Sequence, residues 1–112
     1  MTTPEIPQVD PAQAAALADE GALLLDVREP GEWTAGHIPE ALHIPLGSLD
    51  AGTVARDRVV VAVCRSGNRS GKAAVLLAAA GIDVRNLAGG MKAWAEAGRT
   101  VARDDGTPGA VA

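Results

Sequence analysis

Residues that could cross-link a fold are scarce in this sequence, which has one cysteine and two histidines among its 112 residues. One cysteine cannot form an internal disulfide, and these three side chains cannot complete a closed structural zinc site. The only aromatic side chains are Trp33 and Trp94. Alanine must therefore fill much of the core around these two rings, and the cysteine, Cys64, has either a chemical role or none.

The sequence also lacks the features that would direct it to a membrane or to nucleic acid. No run approaches the ~18 apolar residues of a membrane span, and no positive segment followed by an apolar stretch marks a secretory signal at the N-terminus. The net charge is −4, and the basic residues are scattered except for Arg65 and Arg69. We therefore expect a cytoplasmic protein with no membrane or nucleic-acid partner. The excess of arginine over lysine beside many alanines is typical of GC-rich bacterial genomes.

Short apolar runs alternate with segments of helix length along the chain. The apolar runs lie at residues 22–27, 42–44, 59–63 and 84–87. This alternation predicts an α/β fold in which helices cover a parallel sheet. The length fits one domain, which we assign to residues 1–103. Residues 104–112 lack periodicity and are predicted to form a flexible C-terminal tail.

Helix ends are marked by capping residues and by glycines. Asp10 can cap a first helix, Pro11 suits its first position and Gln13 can complete a capping box, so this helix is predicted over residues 11–19. Gly36 is placed where it would stop a short helix, and Gly81 and Gly98 are placed where left-handed residues end helices. The helices they end are predicted to begin at residue 30 and to span residues 70–80 and 91–97.

Cys64 directly follows the run of residues 59–63, which predicts a central strand buried on both faces. In an open parallel sheet, ligands bind beyond the carboxyl ends of the strands, so Cys64 lies where chemistry is expected. A helix is predicted to begin near Ser70, and its N-terminal amides would point back toward the thiol.

The residues between Cys64 and that helix favour ionisation of the thiol. Gly67 lets successive backbone amides turn inward and form a nest for an anion. Arg65 and Arg69 add two positive charges. Together these features predict a lowered pKa for Cys64 and a larger fraction of thiolate, which is the nucleophilic form.

Four stretches of the chain resemble, in order and spacing, the hallmarks of single-domain rhodaneses. They are LLDVRE at residues 24–29, GHIPEA at 36–41, CRSGNRS at 64–70 and LAGGMKAW at 87–94. The resemblance covers the chain from about residue 9 to residue 97. It implies an open, mainly parallel five-stranded sheet with helices on both faces.

The same resemblance implies a sulfurtransferase of the thiosulfate sulfurtransferase type. It would move sulfane sulfur from thiosulfate or a persulfide donor to a thiol or cyanide acceptor through a persulfide on Cys64, without cofactor or metal. A protein that carries a persulfide is an alternative partner. The implied substrate-binding residues, whose amides would hold the terminal sulfur, are Arg65, Ser66, Gly67, Asn68, Arg69 and Ser70. Arg65 and Arg69 would also receive the anionic donor.

Two other functions remain open from the residues. The first is a sulfur-relay or regulatory module without turnover, which the sequence does not separate from an enzyme. The second is a cysteine-dependent phosphatase or arsenate reductase. Those enzymes use a Cys-x5-Arg loop, whereas Arg69 follows Cys64 after only four residues.

The remaining polar candidates are expected to have structural roles. His37 lies in a predicted turn and His43 in a short apolar run, where isolated histidines are usually hydrogen-bonded rather than catalytic. Asp26 ends a predicted strand, and an acid close to the thiol would oppose its ionisation. We therefore expect Asp26 to pair with an arginine such as Arg28.

Overall fold

The computed structural model describes residues 5–112, and in them one five-stranded sheet has only parallel neighbours. Its strands are Gln8–Val9 (β1), Leu23–Asp26 (β2), Leu42–His43 (β3), Val60–Val63 (β4) and Val84–Leu87 (β5). The spatial order β1-β5-β4-β2-β3 makes β4 the central strand. The predicted parallel α/β sheet is confirmed. Only β1 left no apolar run in the sequence, because one of its two residues is the polar Gln8. The predicted start of the domain, residue 1, lies among residues 1–4, which are outside the described residues.

Four α-helices and two short 3-10 helices, Leu46–Ser48 and Ala51–Thr53, connect or follow the strands in the described part of the chain. The α-helices are Pro11–Asp19 (α1), Pro30–Ala35 (α2), Asn68–Ala79 (α3) and Gly90–Glu96 (α4). The predicted capping box at α1 is present, since the Gln13 amide donates to Asp10 and the Asp10 amide donates to Gln13, at 2.8 and 2.9 Å. Helix α3 begins two residues earlier than predicted. Across residues 5–112, no helix combines the length and apolar character needed to cross a membrane.

The two faces of the sheet are covered by different helices. All four side chains of β4 are buried, as predicted for a central strand. Val60 and Ala62 belong to the cluster covered by α3, whereas Val61 and Val63 belong to the cluster covered by α1 and α4. This alternation follows from the two-residue period of a strand. It places α3 on one face and the other two helices on the opposite face.

The two tryptophans differ in burial. Trp94 is buried as predicted, and its indole N–H donates to the carbonyl of Thr100 at 2.9 Å. Trp33 is half-buried, and its ring stacks on those of His37 and His43 with centroid distances of 3.6 and 4.7 Å. The prediction that Trp33 lies in the core is wrong, because its helix, α2, buries none of its residues.

The polar residues around the end of β2 form hydrogen bonds with backbone carbonyls and with one another, although the buried Arg28 Nη1 has no partner within residues 5–112. The His37 Nδ1–H donates to the carbonyl of Trp33, and the His43 Nε2–H donates to that of Arg28, both at 2.8 Å. The buried Asp26 carboxylate accepts hydrogen bonds from the Arg28 guanidinium at 3.0 and 2.8 Å. These contacts agree with the structural roles expected for the histidines and for the acid.

Residues 104–112, which were predicted to form a flexible tail, fold back onto the end of α2. The Ala110 amide donates to the carbonyl of Ala35 at 3.0 Å. The approach is close, because a Cβ on Gly36 would lie 2.6 Å from the backbone of Ala110, and one on Gly109 would lie 2.7 Å from Gly36. The sequence did not predict these contacts, since they depend on two glycines far apart in the chain.

Candidate functional site

Cys64 lies at the carboxyl end of the central strand β4 and is 1% exposed. Its Sγ accepts a hydrogen bond from the Gly67 amide at 3.0 Å, and the Ser70 Oγ lies 3.3 Å from the same sulfur. Gly67 has φ of 107°, a left-handed conformation that glycine adopts without strain. This conformation lets the chain turn directly from the strand into α3, so that a backbone amide points at the sulfur.

The pKa of Cys64 reflects two opposing influences. Burial of the thiol raises the pKa, because the charged thiolate loses hydration. Hydrogen bonds that the Ser70 hydroxyl and the amides of Ser70 and Gly67 donate to the thiolate form lower it, and the net result is a pKa below the ordinary cysteine value. The direction agrees with the sequence-based expectation. Its main cause is hydrogen bonding rather than the arginines.

A chain of side-chain hydrogen bonds extends from Cys64 to the edge of the sheet. The Ser70 hydroxyl donates to the Asn86 Oδ1 at 2.5 Å, and the Asn86 Nδ2 donates to the Gln8 Oε1 at 2.9 Å and to the carbonyl of Gly67 at 3.2 Å. Sequence reasoning missed Asn86. The available signal was an amide side chain in a predicted strand of a sheet covered on both faces, where a buried polar group needs partners.

The first turn of α4 holds the cysteine backbone in place. The amides of Met91 and Lys92 donate to the carbonyls of Cys64 and Arg65 at 2.8 and 3.1 Å. A Cβ on Gly90, whose φ is 58°, would lie 2.4 Å from the Cys64 carbonyl oxygen. The absence of a side chain at Gly90 therefore makes room for the backbone that carries the thiol.

Gly90→Ala is therefore expected to lower the free energy of unfolding by about 3 kcal/mol, from left-handed strain and steric overlap. Denaturant unfolding followed by circular dichroism measures this change. Gly31→Ala is the matched control, because a Cβ there meets nothing within 4 Å and Gly31 lies in α2. Equal unfolding midpoints for the two variants would show that the close contact between Gly90 and the Cys64 backbone contributes nothing to stability.

The guanidinium groups of the two arginines have partners other than the sulfur. Arg69 donates to both carboxylate oxygens of Glu32, at 2.5 and 2.8 Å, and Arg65 donates from Nε to the carbonyl of Ala112 at 2.9 Å. The hydrogen bond from Arg69 lowers the pKa of Glu32 to about 2. Glu32, and less strongly a negative charge on Cys64, raise the pKa of Arg69. Glu32 escaped sequence reasoning because its partner lies 37 residues away.

The other two predicted loop residues, Ser66 and Asn68, have exposed side chains. Within residues 5–112, no group of three or more histidine, cysteine or acidic side chains could hold a metal ion. A cavity of about 550 Å³ lies beside Trp94 and Arg99 on the face covered by α1 and α4. No residue of the 64–70 loop lines this cavity, so the surroundings of Cys64 remain the candidate site.

Comparison with known proteins is consistent with this geometry. Residues 10–97 match the family model of the rhodanese-like domain. The chain is 37% identical over 94 residues to the thiosulfate sulfurtransferase GlpE of Pseudomonas syringae pv. syringae, and 42% identical over 94 residues to a sulfurtransferase of Allochromatium vinosum. Each match covers 80% of this chain and 88% of the relative. The crystal structure of a rhodanese-related protein from Thermoplasma volcanium matches with a TM-score of 0.79 and 30% identity, covering 85% of this chain and 96% of the other.

Proposed function

Because the chain belongs to the family of rhodanese-like domains, and the relatives compared above are sulfurtransferases, we propose that Cys64 carries sulfane sulfur as a persulfide. The single observation that carries the proposal is the Gly67 amide, 3.0 Å from the Cys64 Sγ at the end of the central strand. A backbone donor fixed in this position stabilises negative charge on sulfur. Such charge is present on the thiolate before transfer and on the terminal sulfur of a persulfide after it.

The proposed reaction consists of two nucleophilic substitutions at sulfur. The Cys64 thiolate attacks the outer sulfur of thiosulfate, a Cys–S–S bond forms, and the sulfur–sulfur bond of the donor breaks so that sulfite leaves with the electron pair. A thiolate or cyanide acceptor then attacks the terminal sulfur of the persulfide, and the Cys64 thiolate leaves. Atoms and electrons balance without an external oxidant or cofactor.

The loop would contribute mainly through its backbone. We propose that the amides of residues 65–70 surround the terminal sulfur and donate hydrogen bonds to it, as the Gly67 amide donates to the cysteine sulfur. Arg65 and Arg69 would attract the donor anion from the loop surface. We also propose a reducing, cytoplasmic location, because an oxidised Cys64 would have no thiolate with which to begin the reaction.

The rates with two donors test this function and separate an enzyme from a relay. Sulfite release from thiosulfate, with cyanide as acceptor, is compared with sulfur uptake from a protein-bound persulfide. Multiple turnovers with thiosulfate support the enzyme. Loading only from the protein persulfide supports a relay, and no sulfur uptake from either donor contradicts the proposal.

Glu32→Gln is expected to lower the KM for thiosulfate roughly fivefold, because it frees the Arg69 guanidinium from an ion pair in a half-buried position. Glutamine keeps a side-chain oxygen that can accept the Glu29 amide, as Glu32 does at 3.0 Å, so α2 retains its cap. Steady-state kinetics measure the change. Glu96→Gln, at the exposed end of α4, is the control with the same net charge.

Arg69→Ala should have the opposite effect and raise the KM for thiosulfate. Arg69→Lys should raise it less, since lysine keeps the charge but loses the planar fork that grips two oxygens. If neither Glu32→Gln nor Arg69→Ala changes the KM, Arg69 takes no part in binding the donor.

A further inference from the structure

The Ser70 hydroxyl lies between two groups that both need its single proton. Its Oγ is 2.5 Å from the Asn86 Oδ1 and 3.3 Å from the Cys64 Sγ. Ser70 is fully buried and Asn86 is 4% exposed, so solvent does not readily supply a second donor. A hydroxyl group donates one hydrogen bond and accepts up to two. It cannot donate to the amide oxygen and to the sulfur at the same time.

The orientation of the Asn86 amide is determined by its other neighbours. One end of the amide faces the carbonyl oxygen of Gly67 at 3.2 Å, and a carbonyl oxygen can only accept. That end must therefore be the NH₂ group, which also donates to the Gln8 Oε1. The oxygen end consequently faces Ser70, where it is an acceptor that cannot return a proton.

We propose that Asn86 is a positioning residue that withholds the Ser70 hydroxyl proton from the Cys64 sulfur in the resting state. The proton order is then Cys64 S–H to Ser70 O–H to Asn86 Oδ1. When the thiol ionises, the hydroxyl must turn to the thiolate and leave the Asn86 oxygen without its partner. An unpaired buried acceptor is costly, so Asn86 opposes ionisation.

The effect of Asn86 on Cys64 ionisation is useful for sulfur transfer. This step of the inference rests on the proposed role of Cys64. A thiolate with a very low pKa is abundant but a poor nucleophile, and the best attacking thiol has a pKa near the ambient pH. Burial raises the pKa of Cys64, and the backbone amides around the sulfur lower it. The competition between Asn86 and the sulfur for the Ser70 proton determines how far the hydroxyl adds to that lowering.

Substitutions of Ser70 or Asn86 alter this competition without removing a charged side chain. The elements packed around Ser70 and Asn86 carry the following charged side chains: Asp26 and Arg28 near the end of β2, Glu32 of α2, Arg65 before α3, Arg69 and Lys72 of α3, Arg85 of β5, and Lys92 and Glu96 of α4. Asp26 pairs with Arg28 and Glu32 pairs with Arg69. None of them contacts the Ser70 hydroxyl or the Asn86 amide through a hydrogen bond found in residues 5–112. Substitutions at these two neutral positions therefore leave the surrounding charges in place.

The test is the pH dependence of Cys64 alkylation by iodoacetamide in Asn86→Val, Ser70→Ala and the double variant. Asn86→Val suits the strand, and the Gly67 carbonyl still accepts the Gly71 amide at 3.1 Å. We expect alkylation below the thiol pKa to be about tenfold faster in Asn86→Val, because the hydroxyl is free to donate to the thiolate. In Ser70→Ala we expect it to be about tenfold slower.

The double variant decides between competition and simple packing. If Asn86 acts only through the Ser70 proton, the double variant should match Ser70→Ala. Unchanged or slower alkylation in Asn86→Val, or independent effects in the double variant, would overturn the proposal. The experiment measures thiol ionisation and not sulfur transfer. The proposal about Asn86 can therefore fail while sulfur transfer is observed, and it can hold when no sulfur transfer is observed.

A measurement that does not depend on the folding of an Asn86 variant uses the infrared S–H stretch of Cys64. The only cysteine of the chain gives the only S–H band. In the wild type the S–H group donates to the Ser70 oxygen, so its stretch should lie at lower frequency than in Ser70→Ala. Equal frequencies in the two proteins would show that the thiol donates elsewhere, and the proposed proton order would be wrong.

Discussion

Cys64→Ser is expected to abolish sulfur transfer while the domain remains folded. The serine hydroxyl does not ionise near neutral pH, so the nucleophile is lost, and losses on the order of 10⁴ to 10⁶-fold are typical when a nucleophile is removed. The fold should persist, because serine is close to cysteine in size and its oxygen can still accept the Gly67 amide. Steady-state sulfur transfer and thermal unfolding measure the two effects.

Ser70→Ala is the control, because it alters the same pocket but keeps the nucleophile. Its sulfur transfer should be slower than that of the wild type but remain measurable, since the Gly67 amide still stabilises the thiolate. Transfer by the Cys64→Ser variant at the wild-type rate would mean that another group carries the sulfur.

Trp94→Ala is expected to destabilise the domain by about 3 to 5 kcal/mol, because it empties a large volume of the core. The ring is 5% exposed and packs in the cluster between the sheet and α1 and α4. The substitution also removes the indole N–H that holds the Thr100 carbonyl at 2.9 Å. Urea unfolding monitored by circular dichroism gives the change.

Trp33→Ala is the matched control for this prediction, since it removes the other tryptophan from a half-buried position. Its cost should be smaller, near the ~1 kcal/mol of an average substitution, because the ring stacks on two histidines and belongs to neither apolar cluster of the core. If Trp94→Ala shifts the unfolding midpoint no more than Trp33→Ala does, the Trp94 ring contributes little to the core.

Features that depend on local sequence could be predicted well. The Asp10 and Gln13 capping box, the buried run of β4 and the glycines at the ends of helices follow from rules that act over a few residues, and the structure contains all of them. The position of Cys64 followed in the same way, because a residue directly after a central parallel strand must lie at the carboxyl edge of the sheet.

Features that depend on contacts between distant residues could not be predicted. Asn86 contacts Ser70 across 16 positions, and Glu32 contacts Arg69 across 37. An ion pair or an amide contact of this kind leaves no periodic pattern in the sequence. The half-buried position of Trp33 had the same cause, since its stacking on His43 depends on how α2 lies against β3.

Sulfur loading of the intact protein tests the central claim most directly. After incubation with thiosulfate and removal of the excess, trypsin releases the peptide of residues 59–65, which contains the only cysteine. Mass spectrometry should find this peptide heavier by about 32 Da, and reduction with a thiol should reverse the gain. The peptide from Cys64→Ser should not change. No gain on the cysteine peptide with either thiosulfate or a persulfide donor, or an equal gain in the serine variant, would contradict the account.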